Sequence, residues 1–139
     1  MCVDDAVGRY QRASEANDVD GLMATLAPDA ELVSPISGRM VFRGADDLRV
    51  LLTAVYGSMA GLRWRTEIGD GDVRVIVGDG KVGGLKLGDA MVLELGDDGR
   101  IRRIRPHLRP WLALTVFALM LGPKVGRHPG VVARALRRA

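Results

Sequence analysis

Cysteine is nearly missing from this chain. Of 139 residues only Cys2 carries a thiol, so no intrachain disulfide can hold the fold, and a reducing, cytoplasmic setting is the expectation. Histidine is almost as scarce. His107 and His128 stand far from each other and from Cys2, which leaves no metal-ligand spacing, and we expect neither a metal nor a cofactor. The Gly78-Asp79-Gly80-Lys81 run lacks the glycine spacing and the hydroxyl residue of a phosphate-binding loop. Long apolar runs are missing too. The longest uncharged stretch, Pro110 to Pro123, has 14 residues, against roughly 20 for a bilayer-spanning helix. No apolar run follows Asp4 and Asp5, so no secretory signal is expected. Finally, no acidic residue occurs after Asp98.

That last absence splits the chain electrostatically. Residues 1–99 hold ten Lys or Arg and seventeen Asp or Glu, net −7, whereas residues 100–139 hold ten Lys or Arg and no acid, net +10. The basic overall charge therefore describes the tail. Aromatic residues are only 4% of the chain, too few to supply base-stacking platforms, and no nucleic-acid partner is expected. What remains is an ordinary globular balance, with 47% hydrophobic residues. A domain of this size buries roughly 70% of its unfolded surface and needs no staple.

Hydrophobic spacing predicts a helix over residues 4–16, with Val7, Tyr10 and Ala13 on one face. A second helix follows an Asp18 or Asp20 cap and carries Leu22, Met23 and Leu26, and Pro28-Asp29 ends it. Short extended segments at 30–34 and 40–42 flank a turn, and a third helix runs from Leu48 to Met59. Beyond Gly61 the period changes from helical to two. Strands are predicted from Leu62, from Val73, from Leu85 to Leu95 and from Arg100 to Leu108. Gly83-Gly84 suits a two-residue hairpin turn, and Gly78-Asp79-Gly80 reads as a bulge or as the turn itself. Helices followed by an antiparallel meander is an α+β pattern. In the tail, Trp111 to Leu121 is apolar nearly all round, Gly122-Pro123 should break it, and Val131 to Arg138 reads as a short basic helix.

Three stretches carry a resemblance. Val7-Gly8-Arg9-Tyr10, Asn17-Asp18-Val19-Asp20-Gly21 and Ala27-Pro28-Asp29-Ala30-Glu31-Leu32-Val33-Ser34-Pro35, continued by Phe42-Arg43-Gly44-Ala45-Asp46-Asp47-Leu48, resemble the nuclear transport factor 2-like superfamily. Within it, they look like the SnoaL-like and ketosteroid-isomerase-like branch. The resemblance implies a cone-shaped domain over residues 1–109, in which a curved antiparallel or mixed sheet and three helices enclose an apolar pocket, often in a homodimer. Residues 110–139 form an extension, an apolar helix followed by a basic tail.

The resemblance also implies site positions. A first-helix tyrosine that hydrogen-bonds a developing enolate corresponds to Tyr10. The general base of the isomerases falls on Ser34, which is too weak a base for carbon acids. Their second acid falls on Met91, with Asp89 two residues earlier on the same strand face. The acid of limonene-epoxide-hydrolase-like members falls on Pro106. Asp89, flanked by Leu87 and Met91, either faces the pocket with a raised pKa or sits solvated and idle at the start of its strand.

Ser34 either contacts a ligand or caps the Pro35 turn. Trp64, Met91, Leu93, Ile104 and Leu108 are expected to shape the pocket, and strand alternation turns His107 outward. The expected partner is an apolar or polycyclic small molecule. The enzymatic reading is ketone isomerisation or polyketide cyclisation by proton transfer through Tyr10 and Asp89. Its rival is a binding or dimerisation module that has lost its acids. The tail is expected to pack over the cone or on a second subunit with its arginines solvated, in preference to touching a membrane.

Overall fold

The computed structural model describes residues 5–37 and 39–137. Asp5 caps the first helix, α1 (Ala6–Glu15), by accepting the Gly8 N–H at 3.0 Å, and Asp18 does the same for Gly21 at the head of α2 (Val19–Ala24). The chain then enters β1 (Leu26–Val33) and returns along β2 (Val41–Arg43) into α3 (Ala45–Gly57). Four long strands follow: β3 (Ala60–Ile68), β4 (Val73–Val82), β5 (Leu85–Leu95) and β6 (Ile101–Arg109). Two helices close the chain, α4 (Trp111–Gly126) and α5 (Pro129–Arg137).

The strands form one six-stranded sheet in the order β2-β1-β6-β5-β4-β3. Every neighbouring pair is antiparallel except β1 with β6. This is the mixed α+β cone that the resemblance implies. Alternation is cleanest on β5, where Leu87, Asp89, Met91, Leu93 and Leu95 are all buried. Gly83 and Gly84 both have positive φ, 55° and 83°, as a tight hairpin requires.

Four local expectations are corrected. Helix α2 stops before Pro28, and β1 already runs through it, because the β1–β6 register shifts between Leu26 and Glu31 and leaves the proline outside the ladder. Gly78 is not a bulge against β5, where pairing is continuous from Val73 to Val82. Instead β3 passes so close that a Cβ at Gly78 would lie 2.4 Å from the Arg63 carbonyl oxygen. Pro123 does not break α4, which continues to Gly126. Its ring lies on the exposed side of the helix, where the carbonyl it leaves without a donor can meet water. The tail arginines are not all left to solvent alone, since Arg134, exposed along its side chain, also pairs with Asp47.

The buried side chains of α4 and α5, among them Phe117, Leu121, Val131 and Ala135, belong to the same core as Leu22, Leu48, Leu93 and Ile104. Arg134 donates twice to the buried Asp47 carboxylate, at 2.7 and 3.0 Å, and Lys124 Nζ donates to Ser58 Oγ at 2.8 Å. These bonds latch the extension to both ends of α3. No helix among the described residues is long and apolar enough to cross a membrane.

Candidate functional site

A cavity of about 400 Å³ lies between α3, the sheet and the extension. α3 supplies Leu52, Val55 and Tyr56, and Met59 follows it; the strands supply Leu32, Phe42, Asp89, Met91, Pro106 and Leu108; α4 supplies Phe117, Leu121 and Val125. The volume suits a small organic ligand. Its wall is almost wholly hydrocarbon, interrupted by the polar groups of Asp89, Tyr56, Ser34 and Ser37.

Asp89 is 6% exposed. The backbone N–H of His107 hydrogen-bonds its carboxylate, but Oδ1 is buried with no partner. Burial dominates and pushes the pKa from 3.8 up to about 7. A carboxyl in this state is part acid and part base near neutrality. An unsatisfied buried oxygen is costly in a native protein, and the residue that carries this one lines the cavity.

Tyr56 presents the second polar atom. Its hydroxyl lies 2.6 Å from that of Tyr10, and the two rings meet edge to face with centroids 6.3 Å apart. Both rings are buried, Tyr10 completely. Burial raises both phenol pKa values, and the negative charge of Asp89 raises them further. Both therefore stay protonated, so when Tyr10 donates to Tyr56, the Tyr56 proton is free to point elsewhere.

Of the residues expected at the site, Asp89, Ser34, Met91 and Leu108 are in the cavity wall. Tyr10 is not; it stands behind Tyr56 and reaches the cavity only through that hydroxyl. The Ser34 hydroxyl accepts the Ile36 and Ser37 N–H groups at 3.2 Å each, holding the turn. Leu93 and Ile104 face each other across β5 and β6, fully buried in the core and outside the wall. Trp64 is also elsewhere. β3 is the edge strand, and its register against β4 shifts on both sides of this residue. The indole consequently turns to α1, where Nε1 donates to Ser14 Oγ at 2.8 Å. His107 is exposed, as alternation predicts.

Tyr56 is the site residue that sequence reading missed. It lies four and eight residues beyond Leu52 and Leu48, so the helical stripe of α3 already pointed to it.

The geometry has recognisable company. A family model for the SnoaL-like domain matches residues 7–104. The chain belongs to this family. Among solved structures, the SnoaL-like domain resembles an uncharacterised bacterial protein with a cystatin-like fold from Silicibacter pomeroyi DSS-3. The two share 22% identity at a TM-score of 0.84, over 96% of this chain and 91% of that one. A steroid delta-isomerase from Pseudomonas aeruginosa matches at 22% identity and a TM-score of 0.80, covering 90% and 92% of the two chains. A protein named as a candidate polyketide cyclase from Sinorhizobium meliloti matches at 23% identity and 0.63, covering 73% and 93%. None of the curated proteins matches. At these identities the structural likeness establishes the nuclear transport factor 2-like fold and nothing finer.

Within that fold the SnoaL-like domain has its own polar equipment. Ser34 and Pro106, the positions at which the resemblance implies acids, carry no group that can titrate. One carboxyl, Asp89, and one paired phenol, Tyr56, carry all the proton-handling capacity of the cavity wall among the described residues.

Proposed function

We propose that this SnoaL-like domain binds an apolar carbonyl compound, a polycyclic or polyketide-like ketone, and catalyses isomerisation or cyclisation through its enolate. The observation that carries the reading is the Asp89 carboxyl, buried in a hydrocarbon wall that also holds Tyr56, with one oxygen unpartnered. As the carboxylate, Asp89 removes a proton from the carbon next to the carbonyl. The negative charge that develops on the carbonyl oxygen is met by the Tyr56 hydroxyl, whose proton is free for it when the 2.6 Å bond between the two phenols runs from Tyr10 to Tyr56. Returning the proton from Asp89 to a different carbon of the dienolate completes an isomerisation. Alternatively, attack of the enolate carbon on a second carbonyl of the same molecule closes a ring, and Asp89 protonates the new alkoxide. Either sequence leaves Asp89 as it began and calls for no cofactor. A pKa near 7 matches a base that must be ionised yet strong at neutral pH.

The alternative is a non-catalytic carrier. It is favoured by one observation: Ser34, at the position of the isomerases' base, spends its hydroxyl on its own turn. Proton nuclear magnetic resonance in D₂O separates the two. Saturated and β,γ-unsaturated polycyclic ketones are incubated with the protein, and deuterium uptake next to the carbonyl is followed. Uptake that disappears in Asp89→Asn supports the enzyme. Saturable ketone binding with no uptake above the protein-free rate supports the carrier.

A further inference from the structure

α4 is apolar on the side it buries and also on the side it exposes. Inward it presents Ala113, Phe117, Leu121 and Val125. Outward it presents Trp111, 75% exposed, Leu112 and Leu119, 71% exposed. No charged residue interrupts the chain from Pro110 to Pro123. The hydroxyl of exposed Thr115 is turned back onto the Trp111 carbonyl at 2.7 Å. A helix on the surface of a globular domain ordinarily keeps a polar outer face, so this stripe is built for something other than water.

Cations frame the stripe. Exposed Arg109 precedes α4, exposed Arg127 follows it, and Arg137 lies beside exposed Leu136 on α5. Other arginines of the basic tail are already matched: Arg102, Arg103 and Arg105 face Glu94, and Arg134 faces Asp47. Arg109, Arg127 and Arg137 have no carboxylate partner among the described residues. An apolar stripe rimmed by uncompensated cations complements an anionic lipid surface, with side chains entering the acyl boundary and guanidinium groups meeting phosphates. A second copy of the chain fits less well. Two such faces packed about a two-fold axis would bring the cations of both copies together.

The cavity opens beside this stripe. Exposed Gly122 and Gly126 of α4 and Ile36, on the loop after β1, all line it. A Cβ at either glycine would meet nothing within 4 Å, so this lip of the mouth is open.

We propose that the outer face of α4, with Arg109, Arg127 and Arg137, docks the protein on an anionic bilayer, so that an apolar ligand dissolved in the lipid enters the cavity beside Gly122 and Gly126. Docking stands independently of the chemistry at Asp89. The test is co-sedimentation of the full chain with vesicles of phosphatidylcholine alone and of phosphatidylcholine and phosphatidylglycerol in equal parts, at low and high salt. The expected result is binding to the mixed vesicles that weakens with salt, falls about tenfold or more in Leu119→Glu, and falls comparably in Arg127→Glu/Arg137→Glu. Unfolding midpoints close to wild type verify that these surface variants fold. No binding to mixed vesicles at low salt overturns the proposal. So does binding that Leu119→Glu leaves intact, which would be charge attraction alone. A concentration-dependent dimer that Leu119→Glu dissolves, without vesicle binding, would instead assign the face to a second copy and equally overturn it.

Discussion

Replacing Asp89 with asparagine should stabilise the protein, and only above acid pH. The native carboxyl holds its proton up to about pH 7, whereas an unperturbed one releases it near 3.8. Between those values the native state binds more protons than the unfolded chain, so stability falls as pH rises through the window. Above about pH 7 both states are ionised and the deficit is constant; below about pH 4 both are protonated and the deficit is gone. A difference of about three units at about 1.4 kcal/mol each gives roughly 4 kcal/mol of destabilisation at alkaline pH. An asparagine side chain has the same shape and no charge to bury. Urea unfolding of wild type and Asp89→Asn at about pH 4 and about pH 8.5 isolates this group, because every other titrating residue is common to both proteins. The variant should be more stable by roughly 3–4 kcal/mol at the higher pH and within about 1 kcal/mol of wild type at the lower. In thermal melts the higher-pH gap is on the order of 10 °C. An advantage of the Asp89→Asn variant that is the same at both pH values, or absent at both, would refute a desolvated carboxyl.

Four further outcomes follow from the same geometry. Tyr56→Phe removes the hydroxyl that meets the enolate and should slow deuterium uptake about a hundredfold. Tyr10→Phe, acting through Tyr56, should slow it less, about tenfold, with ketone affinity nearly unchanged in a binding titration. Uptake by the wild type should rise with pH about tenfold per unit below pH 7 and flatten above it, because the base is the ionised form of Asp89; a rate that stays level through that range argues for a different base. Arg134→Ala removes two bonds to Asp47 and loosens α5 over the cavity, so limited trypsin digestion should cut the 124–128 segment faster than in wild type, and a bound apolar ketone should dissociate faster.

Most of the fold was legible because its signals are local. The two-residue period of β5, the Gly83-Gly84 turn and the Asp18 cap each act over a few residues, and each sits where the pattern places it. The family resemblance added the cone, a curved, unclosed sheet with helices packed against it. The site was legible only in part, because cavity walls are set by tertiary contacts. Alternation puts Asp89 on the inward face of β5, but its burial depends on what covers that face, and α4 belongs to a tail whose uniform hydrophobicity does not say which side packs. Trp64 shares a period with Leu62, yet register shifts on an edge strand turned it to α1. Tyr10 stands in the first helix as the resemblance requires, and its hydroxyl is one step removed from the cavity. The residue in front of it, Tyr56, falls within the predicted third helix and is not among the residues expected at the site.

The central claim is that Tyr56 meets the ligand's carbonyl oxygen in the cavity while the Asp89 carboxylate faces the carbon next to it. A crystal structure of the protein with a bound naphthol, whose ionisable oxygen mimics an enolate, tests this most directly. The predicted result is a naphthol oxygen within hydrogen-bond distance, about 2.5–3.0 Å, of Tyr56 Oη, with a carboxyl oxygen of Asp89 about 3–3.5 Å from the ring carbon next to the one that bears it. A naphthol bound with its oxygen toward Gly122 and Gly126, away from Tyr56, would contradict it.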